Sequence, residues 1–259
     1  MSTSNRSAPR NALWPRRRHW TAGIAVALAL ALTIIWTSAS RGGSAELRVA
    51  VTGDTLSATL IDGEHVIHFA NATSPTEARA ALGVLARPWE RGPGVVVSGA
   101  SERAANGLWE TLQRATPRQL IVLGAPGDSE RWLAIERHCR EAGIEIRYLE
   151  TQARLSLASL TLELVPTQSG SHATISTSST RVALAIGGSP DDGRFHALIA
   201  SGKIPDGLSA DLLVLPQSNR TPGGAREILT VEEGRRVTLA FEADAIRVRG
   251  GQIITAGDD

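Results

Sequence analysis

The sequence predicts an α/β fold carried behind one membrane-crossing helix. Three observations predict it. Buried-strand and helix patterns alternate between residues 95 and 149, short apolar runs with turn signals lie on both sides of that stretch, and residues 20–36 form one uncharged apolar segment. The chain has 259 residues, of which 42% are hydrophobic and 20% charged, enough for one globular domain with a full core plus an anchor. That balance excludes a disordered chain.

Taken in order, residues 1–19 form a basic tail holding Arg6, Arg10, Arg16, Arg17 and Arg18 and no acidic residue. Residues 20–36, WTAGIAVALALALTIIW, are seventeen residues without a charge, bracketed by Trp20 and Trp36, which suit the headgroup interface. At about 1.5 Å per residue they cover roughly 25 Å, so flanking residues help to span a hydrocarbon core of roughly 30 Å. The Arg16–Arg18 cluster before the segment, against Arg41 alone soon after it, predicts a cytoplasmic N-terminus in a single-pass cell-membrane protein, with the globular domain extracytoplasmic. A cleaved signal peptide is the rival reading, since Thr37, Ser38, Ala39 and Ser40 are small enough for a signal peptidase, while Trp36 favours retention. Residues 37–45 are a short linker, and residues 46–259 are the domain.

Within the domain, residues 47–70 alternate β-branched runs with turns at 52–54 and 62–63, an antiparallel start. Residues 75–86 have helical composition, with Ser74 or Thr73 placed to cap them. Residues 94–98 are a buried strand by their unbroken apolar run. The 3-4 spacing of Ala105, Leu108, Trp109 and Leu112 then predicts a helix over 101–114. Another buried strand covers 119–124, Ser129 caps a helix through Glu141, and Gly143 ends it before a strand at 144–149. This order implies parallel strands with helices outside. Beyond it the chain reads mostly as β, with strands at 155–157, 160–165, 172–177, 181–186, 212–215, 236–241 and 245–249 and a helix at 194–201.

The most telling stretch is Val95-Val96-Val97-Ser98-Gly99-Ala100-Ser101-Glu102-Arg103-Ala104-Ala105-Asn106-Gly107-Leu108. It resembles the strand and loop of metallo-β-lactamase-fold hydrolases, written as three apolar residues followed by T-H-x-D-x-D-H-x-G-G-L. Ser98 stands at the Thr and Gly107-Leu108 keep the end of the motif, whereas Gly99, Ser101, Arg103 and Ala104 occupy the positions of His, Asp, Asp and His. Other landmarks follow in the same order. Residues 47–61 resemble the opening apolar-D-V-G-Q-G-D-A-x-L-I, and residues 64–69 sit where a strand ending in L-I-D-x-G is expected, with His68 near its acidic position. Residues 181–188 are similar to the strand ending in L-L-x-G-D, which puts Gly188 at the metal-bridging Asp, and residues 210–219 resemble A-D-V-L-K-V-x-H-H-G, which puts Gln217 at the last His ligand. The resemblance extends over most of residues 46–251 and is nearest to the C-terminal domain of ComEC-type DNA-uptake competence proteins.

The resemblance implies the αβ/βα sandwich of the metallo-β-lactamase fold; a Rossmann-like domain with a β extension is the alternative. Zinc needs three or four imidazole, thiolate or carboxylate groups converging on one point, and Gly99, Ser101, Arg103, Ala104, Gly188 and Gln217 supply none. The expectation is therefore a non-catalytic, ComEC-like pseudoenzyme with no cofactor, acting through contacts with an unknown protein, with DNA uptake as its implied setting. One apolar segment cannot form that family's multi-helix pore. The alternative is a metal-dependent hydrolase with a rearranged site, in which acidic or His side chains would cluster near Gly99 and Gly188.

Other candidates are weaker. His65 and His68, three apart on a strand, point to opposite faces. His172 and His196 have no local partners in sequence; Asp191 and Asp192 read as a solvated turn rather than a cation site; Ser98 lacks a G-x-S-x-G elbow; and Gly92-Pro93-Gly94 is a turn, not a phosphate loop. Cys139 has no partner for a disulfide and reads as a small buried side chain. Trp109 and Trp132 read as core residues, and Trp89 as a candidate contact surface. Of 27 basic residues, the five in the tail leave 22 against 26 acidic ones for the rest, a balance that disfavours direct nucleic-acid binding by the domain unless arginines such as Arg103, Arg220 and Arg226 share a groove.

Overall fold

The computed structural model describes residues 45–86, 90, 92–167, 171–188, 190, 192–201, 207–217, 225–242, 244–250 and 252–255. The expectations for the tail, the apolar segment, Trp89, Asp191 and Arg220 lie outside these residues. Among the described residues no helix is long and apolar enough to cross a membrane.

The sequence opens as two hairpins, β1 (Glu46–Thr52), β2 (Thr55–Asp62) and β3 (His65–Ala70). Gly53 and Gly63 take the left-handed φ values of 59° and 62° that their tight turns need. Then β3, β4 (Val95–Gly99), β5 (Gln119–Leu123) and β6 (Glu145–Leu149) pair in parallel. Between them run α1 (Pro75–Leu85), α2 (Glu102–Ala115) and α3 (Glu130–Ala142). Each helix has a serine N-cap, Ser74, Ser101 and Ser129, whose oxygen accepts a backbone N–H of the first turn. Gly143 closes α3 in the left-handed region at φ 70°.

The second half supplies β7 (Ala153–Ser156), β8 (Thr161–Val165), β9 (Ser171–Ser176), β10 (Arg181–Ile186), β11 (Gly193–Ile199), β12 (Leu208–Pro216), β13 (Ala225–Val231), β14 (Arg236–Phe241), β15 (Ile246–Arg249) and β16 (Gln252–Thr255). They complete two eight-stranded sheets, ordered β15-β14-β1-β2-β3-β4-β5-β6 and β16-β13-β12-β11-β10-β9-β8-β7. The main core is their shared interior, where Leu47, Leu60 and Phe69 of the first sheet meet Leu162, Leu184 and Val214 of the second. Outside the first sheet, Leu108, Leu112, Trp132 and Ile135 of the helices cover Val96, Leu120 and Val122. The described residues thus form a mixed α/β sandwich of two sheets, the architecture implied for the metallo-β-lactamase fold.

One expectation is corrected. Residues 194–201 do not form a helix, because Gly193–Ile199 is β11, paired in parallel with β10 on one side and β12 on the other. Their Arg, Ala and Leu content suits a helix, but pairing on two sides and burial of Ala197 and Ile199 in the core override that preference. The αβ/βα layering holds for the first sheet, whereas among the described residues no helix covers the second. Parallel strands β10 to β13 are separated by only six, eight and eight residues, fewer than the dozen or more of a helical crossover.

Candidate functional site

Parallel strands from both sheets end at one cleft of about 930 Å³. Chain leaving the carboxyl ends of β3, β4, β5 and β6 contributes Asn71, Gly99, Gly124 and Glu150, and the ends of β10 and β11 contribute Gly187 and Ser201. Crevices outside the carboxyl ends of strands are the usual ligand sites of α/β sheets.

Four of the positions singled out by the motif converge here, since Gly99, Ser101, Arg103 and Ala104 all line the cleft. Gly99 is the last residue of β4. Ser101 caps α2, its Oγ accepting the Ala104 N–H at 3.2 Å, so its oxygen is engaged by the helix. Arg103 is exposed on the first turn. Gly188 is half-buried on the bend after β10, and its neighbour Gly187, at φ 78°, lines the cleft. Gln217 is exposed after β12, donates its backbone N–H to the Val231 carbonyl at 3.1 Å, and is not among the residues lining the cleft. Ser98 is fully buried and donates its hydroxyl to the Gly99 carbonyl at 3.2 Å.

The frame around these positions is built by packing. A Cβ on Gly107 would fall inside the contact radius of the Ala72 carbonyl oxygen and 2.7 Å from its carbon, so the second turn of α2 and the loop after β3 meet only because residue 107 has no side chain. That loop also carries Asn71, whose Nδ2 donates to the Leu56 carbonyl at 3.2 Å and the Ala185 carbonyl at 3.4 Å, joining the two sheets at the cleft. Thr73 follows, donating its N–H and its hydroxyl to Glu77 Oε2 at 2.9 Å each. Asn71, Thr73, Glu150 and Ser201 were not legible as site residues. The signal for the first two is their position between a strand and a capped helix.

The described lining of the cleft is poor in zinc donors. Among the described residues lining the cleft, the ionisable side chains are Arg103 and Glu150, and no imidazole or thiolate is present. Nor do the described residues contain a group of three or more His, Cys, Asp or Glu that could hold a metal. His65 is exposed, while His68, on the opposite face, is buried with Nδ1 3.0 Å from Thr59 Oγ1. Burial pushes the His68 imidazole down to about 4, against a backbone hydrogen bond at Ala58 that favours the charged form. His196 Nδ1 accepts the Arg181 N–H at 3.0 Å. Cys139 is buried in the layer between α3 and the first sheet, and burial raises its thiol to about 11, with the Glu136 charge adding to the rise. Trp132 is buried in that layer, and Trp109 packs beside it against the His138 ring, with centroids 5.4 Å apart.

No protein-family model and no curated protein matches this chain. Among solved structures, it is similar to Zn(2+)-bound PqqB from Methylobacterium extorquens at 14% identity and a TM-score of 0.39, covering 67% of this chain and 72% of that one. It is also similar to a diphosphatase from the PhnP family (15% identity, TM-score 0.43, covering 76% and 98%). A third similar structure is the metallo-β-lactamase-fold protein YhfI from Bacillus subtilis (11% identity, TM-score 0.42, covering 75% and 99%).

Proposed function

We propose that this chain is a membrane-anchored, extracytoplasmic, non-catalytic domain of metallo-β-lactamase type that acts by protein contacts. The observation that carries the reading is the convergence of Gly99, Ser101, Arg103 and Ala104 on one cleft at the strand ends, where a hydrolase of this frame would present its metal ligands. Each has a side chain that cannot serve zinc: a hydrogen, a hydroxyl engaged as a helix cap, a cationic guanidinium and a methyl. The anchor reading rests on the uncharged run of residues 20–36 behind an arginine cluster, and the DNA-uptake setting on the sequence resemblance.

The test is metal content and turnover of the full-length protein, purified in the presence of zinc. Substoichiometric zinc and no cleavage of bis-p-nitrophenyl phosphate are expected. One zinc or more per chain together with turnover would overturn the reading and favour a hydrolase with a rearranged site. Phosphatase fusions on either side of residues 20–36 check the topology, with activity expected only on the C-terminal side.

A further inference from the structure

A second cavity lies on the helix-covered face of the first sheet, and its floor is polar where helix packing ordinarily places apolar side chains. Arg48 pairs with Thr59 across β1 and β2, and Thr59 with His68 across β2 and β3, so the three side chains stand in one row on one face. All three are more than nine-tenths buried. A buried polar row of this kind is costly unless its groups find partners.

Most of them do. Thr59 Oγ1 and His68 Nδ1 are 3.0 Å apart. The terminal nitrogens of Arg48 bond to Glu46, to both oxygens of Glu90, one of them at 2.7 Å, and to the Leu85 carbonyl at 3.3 Å. Among the described residues, the Arg48 Nε–H is buried with no acceptor. An unsatisfied buried donor at the floor of a cavity calls for an occupant that supplies one.

The walls and charges say what kind. The cavity measures about 340 Å³, the low end of the roughly 300–1,000 Å³ of small-molecule sites, and Ile61, Val66, Leu82, Leu85 and Pro93 make its sides apolar. An anion would meet Glu64 and Glu90 at the lining and Glu46 behind, three carboxylates against one guanidinium already paired. Glu90 and Glu46 are engaged by Arg48 and Glu64 is exposed to solvent, so an amine finds no buried counter-ion at the floor.

We propose that this cavity is a binding site for a small neutral molecule with an apolar body and one oxygen that accepts a hydrogen bond, such as a ketone or ester. The oxygen takes the Arg48 Nε–H, and the body packs against Leu82 and Leu85. The site is separate from the cleft at the strand ends and does not depend on how that cleft is used.

The experiment titrates full-length protein in lipid nanodiscs with cyclohexanone and, in parallel, with methylcyclohexane, a probe of similar shape without the oxygen. Binding is read from the methyl NMR signals of Ile61, Leu82 and Leu85. Saturable shifts with cyclohexanone, about tenfold weaker binding of the hydrocarbon, as expected for one lost hydrogen bond, and loss of both in Leu82→Trp are the expected results. Absence of saturable shifts overturns the proposal, as does equal binding of the two probes, which would mark a plain apolar void. Should Leu82→Trp fail to fold, the comparison of the two probes on the unaltered protein decides alone.

Discussion

Two glycines of the motif stretch play opposite parts, and the difference is measurable. At Gly107 an added methyl meets the Ala72 backbone, which cannot rotate away as a side chain would. Gly107→Ala is expected to lower stability by roughly 2–4 kcal/mol in urea titrations, since overpacking against backbone forces the helix and loop apart. At Gly99 the nearest atom to an added Cβ is the Ile186 carbonyl oxygen at 3.7 Å, an ordinary contact. Gly99→Ala is expected to stay within about 0.5 kcal/mol of the parent. The first glycine is held by packing, and the second lines the cleft with room to spare. His68 gives a residue-scale prediction of another kind. Its folded-state value of about 4 lies below the roughly 6.5 of an unfolded chain, so below pH 6.5 the unfolded state takes up the proton first. The stability from keeping this ring neutral is complete above pH 6.5 and is lost as pH falls toward 4, roughly 3 kcal/mol in all. Urea midpoints at pH 7 and pH 4.5 are expected to differ less in His68→Gln than in the parent, and an unchanged pH slope would count against the assignment.

At the scale of elements, one carboxylate ties the two sheets at the end away from the cleft. Asp62, the last residue of β2, accepts from the Ser159 N–H and hydroxyl at 2.7 Å each and from the Leu160 N–H at 3.1 Å, in the turn between β7 and β8. Asp62→Ala strips the acceptor from two backbone N–H groups that have no other described partner, and is expected to destabilise by about 3 kcal/mol. Equilibrium unfolding measures this, and Ser159→Ala, which removes only the hydroxyl, should lose about 1 kcal/mol. Elements whose signals are local were legible in the sequence. The three helices carry serine caps and 3-4 spacing, and the strands β1 to β6 carry alternation or unbroken apolar runs. Those that failed depend on neighbours. β11 reads as a helix until β10 and β12 bond to it on both sides, and β13, with Arg226 and Glu227 at its start, shows too little apolar pattern to be recognised without β12 beside it.

For the whole molecule, the lining of the candidate cleft was legible where the chain itself supplies a contiguous stretch, from Gly99 to Ala104, and illegible where the fold assembles it. Asn71, Glu150 and Ser201 reach the cleft only because separate strands end together. The distribution of charge makes the last prediction. Residues 1–19 hold five arginines and no acid, while the rest of the chain holds 22 basic against 26 acidic residues. Arg103 lies at the cleft, but several of the other arginines are taken up in pairs such as Arg48 with Glu46 and Glu90, and Arg114 with Glu110 at 2.5 Å. Affinity for duplex DNA at low salt is therefore expected to reside in the tail. Five phosphate contacts give a slope of log affinity against log salt of about −4.5, a several-hundredfold loss between 50 and 200 mM salt. Replacing Arg6, Arg10, Arg16, Arg17 and Arg18 by serine should abolish the binding seen by fluorescence anisotropy with labelled DNA. A domain that grips DNA through a groove of its own would keep its affinity after that replacement, and its salt slope would then count the groove's phosphate contacts rather than the tail's.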